Sequence, residues 1–366
     1  MQSTVIIGSG QTGRGFIGRL LFLSGLPFTL LDTDRELVSG LQQKGRYSVI
    51  FFSTGQTVHV SGYQAFQTDC EQAVKILEKA ENIFISVGAE NLEAAARYLA
   101  QSHAAPKNII LCENAADPAG KLRKALESFG ADSRANLVEA AIFCTTVNAG
   151  PGSLDILSED YSRLPYDSTC AQGALFDSAF FEPSADFSVL LKRKIYTYNA
   201  ASAIIAYNGW ALGYSSFAEA AGDPAVLGML RDFYAGINRA ITAEYGIEPK
   251  EQQEFADMSL KKFTNPLIAD SIERNARQPR RKLGPDERIA FPLKLLTKYG
   301  FDSKVLCRTA ALAVLYGERC EPEWVTQFGR GNAGQTFSAL SKICDQSVAE
   351  SVDAEYAICG SKINIL

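Results

Sequence analysis

Three glycines and one aspartate near the start of the chain carry the first chemistry that can be read. Gly8, Gly10 and Gly13 stand in the spacing Gly-x-Gly-x-x-Gly directly after a short apolar run, and Asp32 closes the next apolar run, 28–31. Gly8 lets the chain turn off a strand. Gly10 removes a side chain where a backbone must approach a pyrophosphate, and Gly13 lets the following helix lie close to the strand. The start of that helix offers unpaired N–H groups and a positive dipole end to phosphate. Asp32 suits the two ribose hydroxyls of an adenine nucleotide, and its charge repels a 2′-phosphate. The expected cofactor is therefore NAD rather than NADP, although Arg35, three residues on, could soften that preference. Strand, glycines, helix, strand and acid come in the order the dinucleotide fingerprint requires. Val87 and Gly88 end a later strand on the same edge and are expected beside the nicotinamide ribose.

A second group lies in the other half of the chain. Lys194 follows Lys192 and Arg193, with Leu191, Ile195 and Tyr196 around it. Burial of such an amine lowers its pKa toward neutrality, where a lysine can act as a general base. Without further support, a solvated basic triplet explains these residues as well. Asn199 and Ser202, three apart, share a helix face. Arg274, Arg277, Arg280, Arg281, Lys282 and Arg288 form a cationic cluster suited to a phosphate ester. The competing explanation is a set of salt bridges to Glu273, Asp286 and Glu287.

Composition narrows the function classes. The chain has 366 residues, is 46% hydrophobic and carries a formal net charge of −5. That length suggests two domains. The acidic balance gives no sign of a nucleic-acid or membrane surface, and no apolar run approaches a membrane span. Eight scattered cysteines without a Cys-x-x-Cys pair read as reduced thiols, and with no export signal evident the expected location is cytoplasmic. Only two histidines are present, His59 and His103, so no metal site is expected.

The elements that must position these residues alternate in the first half. Strands are expected at 47–52 and 57–60 as a hairpin, then at 82–87 and 108–112, with a last strand inside 136–147. Helices are expected at 35–44, 69–80, 90–102 and 118–129. This alternation implies a mostly parallel, doubly wound Rossmann sheet. Residues 148–186 read as an irregular or small β segment. Long helical patterns then dominate, at 189–212, 225–245, 250–262, 267–277, 286–298, 303–316 and 335–348. The expected division is an α/β NAD-binding domain over 1–186 and an all-α substrate domain over 187–366, with the active site in the cleft between them.

The segment Gly-x-Gly-x-x-Gly-Arg-Gly-Phe-Ile-Gly resembles that of the mannitol-1-phosphate 5-dehydrogenases, within the polyol-specific long-chain dehydrogenases. Leu111-Cys112-Glu113-Asn114, the run Arg193 to Asn199, Asn265-Pro266 through Arg274, Arg277-Gln278-Pro279, Arg281-Lys282-Leu283, Arg288 and Pro292 extend the resemblance over most of the chain. It implies an NAD-dependent, metal-independent oxidoreductase acting on a polyol or sugar-derived alcohol, with or without a phosphate. By that resemblance Lys194 is the general acid/base, and Asn199 and Asn114 position the reacting oxygen. Ser202 stands where the family has a histidine, and Phe143-Cys144 where it has an Asp-Arg pair. Arg274, Arg281 and Lys282 are the substrate candidates. The departures leave two alternatives: a dehydrogenase for another substrate such as a sugar acid, or an NAD(H)-binding sensor without turnover. The expected partner is a small sugar or polyol, with the chain a monomer or small homo-oligomer.

Overall fold

The apolar runs become strands buried on both faces. In the computed structural model, which describes residues 3–113, 117–131, 136–268 and 270–363, twelve strands are present among the described residues. They are β1 Thr4–Ile7, β2 Phe28–Asp32, β3 Arg46–Phe51, β4 Thr57–Ser61, β5 Gln64–Gln67, β6 Asn82–Ile85, β7 Asn108–Leu111, β8 Asn136–Glu139, β9 Thr146–Asn148, β10 Ile156–Ser158, β11 Leu164–Asp167 and β12 Phe181–Ser184. Six of them form a wholly parallel sheet in the order β5-β2-β1-β6-β7-β8. Numbered by their own sequence, those six read 3-2-1-4-5-6, the dinucleotide-binding order. The strand order reverses between β1 and β6, which pair from Thr4↔Asn82 to Ile7↔Ile85.

Alternation along each strand builds two hydrophobic layers. Ile6, Phe84, Ile110 and Val138 face a layer with Phe16, Ile17, Leu20 and Leu21. Val5, Ile7, Ile83, Ile85, Ile109 and Leu111 face the opposite layer, with Leu77, Leu92, Leu99, Leu122 and Leu126. Helices therefore cover both faces, and the central strands can be apolar throughout. β5 escaped the sequence reading because its run Gln-Ala-Phe-Gln is short, polar at both ends and placed at the sheet edge. The expected hairpin is β3 and β4, antiparallel from Arg46↔Ser61 to Ile50↔Thr57. It belongs to a second sheet, β4-β3-β10-β9, and β11 and β12 form a parallel pair.

The chain divides into two compact units, Met1–Phe187 and Ser188–Leu366. The second is helical, around a core that includes Ile204, Ile237, Leu293, Leu312 and Phe337. Four expected helices are corrected. The pattern at 267–277 shrinks to Ile272–Ala276, because Arg277 leaves helical geometry ahead of Gln278, whose φ is 60°. The helix expected from 286 begins at Ala290. Gly284-Pro285 interrupts the backbone, and the charged residues 286–288 contribute no apolar face, so the helix starts where Ala290, Leu293 and Leu296 can be buried. The pattern at 335–348 is two helices, Ala333–Ser341 and Gln346–Ile363. Lys342, at φ 58°, ends the first, and Asp345 accepts the Ser347 N–H at 2.9 Å to cap the second.

The pattern at 189–212 also divides, into helices Phe187–Lys194 and Ala200–Ala211 joined by a wide helical turn, Ile195–Asn199. Such turns bond each N–H to the fifth residue back. No described helix is long and apolar enough to cross a membrane.

Candidate active site

At the C-terminal edge of the parallel sheet, around the β1/β6 reversal, lies a cavity of about 800 Å³. Its lining includes Gly10, Gln11, Arg14, Asp32, Ser86, Gly88, Cys112 and Glu113. The three glycines differ in what surrounds them. Gly8 has φ 95°, and a Cβ there would stand 2.2 Å from the Ser86 carbonyl oxygen. A Cβ at Gly13 would stand 1.9 Å from the Gly8 carbonyl oxygen. A Cβ at Gly10 would meet nothing within 4 Å, because it would project into open space. Two glycines are therefore required by packing, while the third keeps room for a ligand.

Asp32 holds the loop together from the end of β2. Its Oδ2 accepts the Ser9 N–H at 2.6 Å and its Oδ1 accepts the Asp34 N–H at 3.0 Å. Its remaining lone pairs can meet ribose hydroxyls. Open backbone at Gly10, a carboxylate at the tip of β2 and a cavity of ordinary ligand size fit an adenine dinucleotide. Arg14, whose role went unread in the sequence, donates to the Ser9 carbonyl at 2.6 Å. Burial lowers its pKa, partly offset by Tyr47 and then Asp32. A cation among the apolar residues of a helix start was its signal.

Val87 and Gly88 lie at this edge, but their N–H groups are engaged. Both donate to Glu113 Oε1, at 2.8 and 3.0 Å. Glu113 was not among the expected site residues, although it stands two residues past β7 much as Asp32 stands at the end of β2. Burial, strongest among its influences, pushes its carboxyl up to about 7 against the two backbone bonds. Cys112 is buried with its thiol pushed up by desolvation, which leaves it unreactive as a nucleophile. Asn114 lies outside the described residues.

In the helical unit, Lys194, Asn199 and Ser202 are each partly accessible among buried neighbours such as Arg193, Tyr196, Thr197, Ala200 and Ala203. In a regular α-helix, residues five apart diverge by about 140°. The wide turn Ile195–Asn199 reduces that divergence and brings Lys194 and Asn199 toward one face. Lys194 keeps some accessible surface, yet the surrounding protein desolvates its amine. That burial, followed by the charges of Lys262 and Arg288, pushes it down to about 7. Arg193, by contrast, is structural. It donates to Gln252 Oε1 at 2.7 Å and Glu251 Oε1 at 2.6 Å, and stacks 4.3 Å from the centre of the Phe255 ring. Gln252 in turn donates to Thr197 Oγ1 at 3.1 Å, which ties the wide turn in place.

The cationic cluster separates into two groups. Arg274 is exposed and bound through its fork to Asp270, with Nε 2.6 Å from Oδ1. Arg281 is exposed and 3.9 Å from Glu287. Lys282 is buried, donates to the Asn275 backbone carbonyl, and is pushed down to about 7 by burial, then Arg288 and Arg281. Ser202 Oγ stands 3.5 Å from Asn275 Oδ1, so Ser202, Asn275 and Lys282 form one connected run. Arg288 acts on both Lys194 and Lys282. The sequence placed Arg288 in the cluster without a role, and it did not point to Lys262. Only folding sets those charges beside Lys194.

Two models of one family match the chain: the mannitol dehydrogenase Rossmann domain over residues 2–148 and the mannitol dehydrogenase C-terminal domain over residues 186–327. The chain is 29% identical over 341 residues to a mannitol-1-phosphate 5-dehydrogenase of Paenarthrobacter aurescens, covering 88% of each protein. It is 27% identical over 345 residues to the enzyme of that name from Lacticaseibacillus paracasei, covering 89% of this chain and 90% of the other. Among solved structures, a D-sorbitol dehydrogenase in substrate-free form superposes with a TM-score of 0.77 at 14% identity, covering 100% of this chain and 97% of that one. Pseudomonas fluorescens mannitol 2-dehydrogenase, in a ternary complex with NAD and D-mannitol, gives 0.73 at 13% identity, covering 100% and 94%. The strand order and the two domain matches together establish that the chain belongs to the mannitol dehydrogenase family.

Proposed function

We propose that this protein is an NAD-dependent oxidoreductase that interconverts a polyol and the corresponding keto sugar, and that the polyol carries a phosphate. The observation that carries the reading is the Lys194 amine, held near 7 by burial and by the charges of Lys262 and Arg288, one wide helical turn from Asn199. When bound, NAD⁺ supplies the hydride acceptor, and NADH the donor, at C4 of its nicotinamide. Gly10 and Asp32 hold the dinucleotide. In oxidation, the neutral Lys194 amine takes the hydroxyl proton, and in reduction the ammonium returns it. The Asn199 amide donates to the reacting oxygen. Lys262 and Arg288 stabilise negative charge as it develops there.

Ser202 fills the histidine position with a hydroxyl directed at Asn275, so it contributes a hydrogen bond without a charge. Asn114 keeps the oxygen-positioning role that the resemblance implies. Lys282, Arg281 and Arg288 form the anion-binding group that favours a phosphorylated substrate. Arg274, engaged with Asp270, is the weakest member of the set. A sugar acid would address the same cations through its carboxylate.

A screen of NADH consumption with ketose phosphates, ketoses and keto-uronates decides among these. Turnover on a ketose phosphate that disappears in Lys194→Ala is the expected result. Turnover on keto-uronates alone selects the sugar-acid reading. NADH binding with no turnover on any of them overturns the enzyme reading in favour of a sensor.

A further inference from the structure

The Glu113 carboxyl has no part in the scheme above, yet it lies on the cofactor cavity. It bridges two strand ends. Rooted just past β7, it takes the Val87 and Gly88 N–H groups, just past β6, on a single oxygen. Gly88 has φ 86°, so this turn uses a conformation that needs glycine. Because Oε1 accepts both bonds, Oε2 can gain or lose a proton while the turn keeps its shape. The cavity also has a direction. Asp32 marks the adenosine ribose end and Gly10 the pyrophosphate, so a bound dinucleotide extends its nicotinamide half toward Gly88, Cys112 and Glu113.

We propose that Glu113 couples a proton to the redox state of the bound cofactor, ionised beside the cationic oxidised ring and protonated beside the neutral reduced ring. The inference rests on the NAD reading above. An anion near a cationic ring is stabilised, and the same anion beside NADH, which brings only negative charge, is not. Burial places the carboxyl where this choice falls near neutral pH. The charged or titratable groups facing it are Glu90, whose charge adds to the upward push, and the Cys112 thiol beside it. The remaining charged side chains of the cavity are Arg14, Asp32, Asp34, Glu36 and Lys44.

The test is equilibrium binding of NAD⁺ and of NADH by calorimetry, from about pH 6 to about pH 8.5, in buffers of different ionisation enthalpy. For the wild-type protein, the ratio of the two dissociation constants is expected to move about tenfold in favour of NAD⁺ as pH rises, with proton release on NAD⁺ binding and uptake on NADH binding. Glu113→Gln keeps an acceptor for the two N–H groups and is expected to bind both nucleotides, with a flat ratio once Lys194 is also replaced by Met. Lys194 also titrates near 7 and, as the base beside the same ring, adds a slope of its own, so the comparison is made in the Lys194→Met background, where Glu113 is expected to keep the ratio pH-dependent. A pH-independent ratio in the wild type, or a slope in the Lys194→Met background that survives Glu113→Gln, overturns the proposal while leaving the cofactor reading intact. Failure of both nucleotides to bind the wild type at any pH overturns both.

Discussion

The Lys194 amine sets a quantitative expectation for catalysis. A lysine at its ordinary value of about 10.4 is neutral in roughly four molecules in ten thousand at pH 7. At about 7, half of the molecules are neutral. Burial therefore raises the concentration of reactive base about a thousandfold at neutral pH. For alcohol oxidation, kcat/KM should rise with pH and level off above a midpoint near 7. For the reverse reduction it should fall through the same region, because the ammonium is then the required form. Lys194→Ala removes the proton acceptor and should cost about 10²- to 10⁴-fold in kcat/KM at pH 7. Lys262→Gln removes one of the two charges that oppose protonation, so its oxidation midpoint should move upward, and its high-pH plateau should fall because the same charge stabilises the developing oxyanion. Initial rates of NADH formation measured across pH provide both readings. An oxidation midpoint near 10, or a Lys194→Ala variant within a fewfold of wild type, refutes the assignment.

The two glycine roles predict opposite phenotypes. Gly10→Ala should keep the melting temperature and weaken NADH binding about tenfold or more, whereas Gly13→Ala should lower the melting temperature because its Cβ falls on the Gly8 carbonyl. Asp32→Ala should weaken NAD binding and narrow the preference over NADP, read as the ratio of dissociation constants. Gln252→Leu removes the buried amide that bonds Arg193, Asn238 and Thr197 and should destabilise the protein by about 2–4 kcal/mol in denaturant unfolding. Ser202→His should raise activity on a mannitol-type substrate if the rest of the pocket accepts it, and an inert variant would place the specificity of this chain in Asn275 and Lys282 instead.

The amino-acid order alone determined the elements whose constraints are local. Glycine spacing, an apolar strand and an acid at the next strand tip specify the phosphate loop, because each acts within a few residues of backbone. Alternation of short apolar runs with helical patterns specified the parallel sheet. The edge strand β5 was lost because two glutamines flank its only apolar pair. The helix expected at 286 was misplaced because a proline and two acids mimic a helix start, while burial begins only at Ala290. What the tertiary structure alone decided is electrostatic. The Lys194 amine is pushed down to about 7 because distant residues exclude water and set Lys262 and Arg288 beside it. Arg274 pairs with Asp270 while Lys282 is buried, a division that neighbouring letters in one basic motif cannot express. Glu113 meets Val87 and Gly88 only because β6 and β7 lie side by side. Charge and desolvation act through space, so residues far apart in the chain set the chemistry of one another.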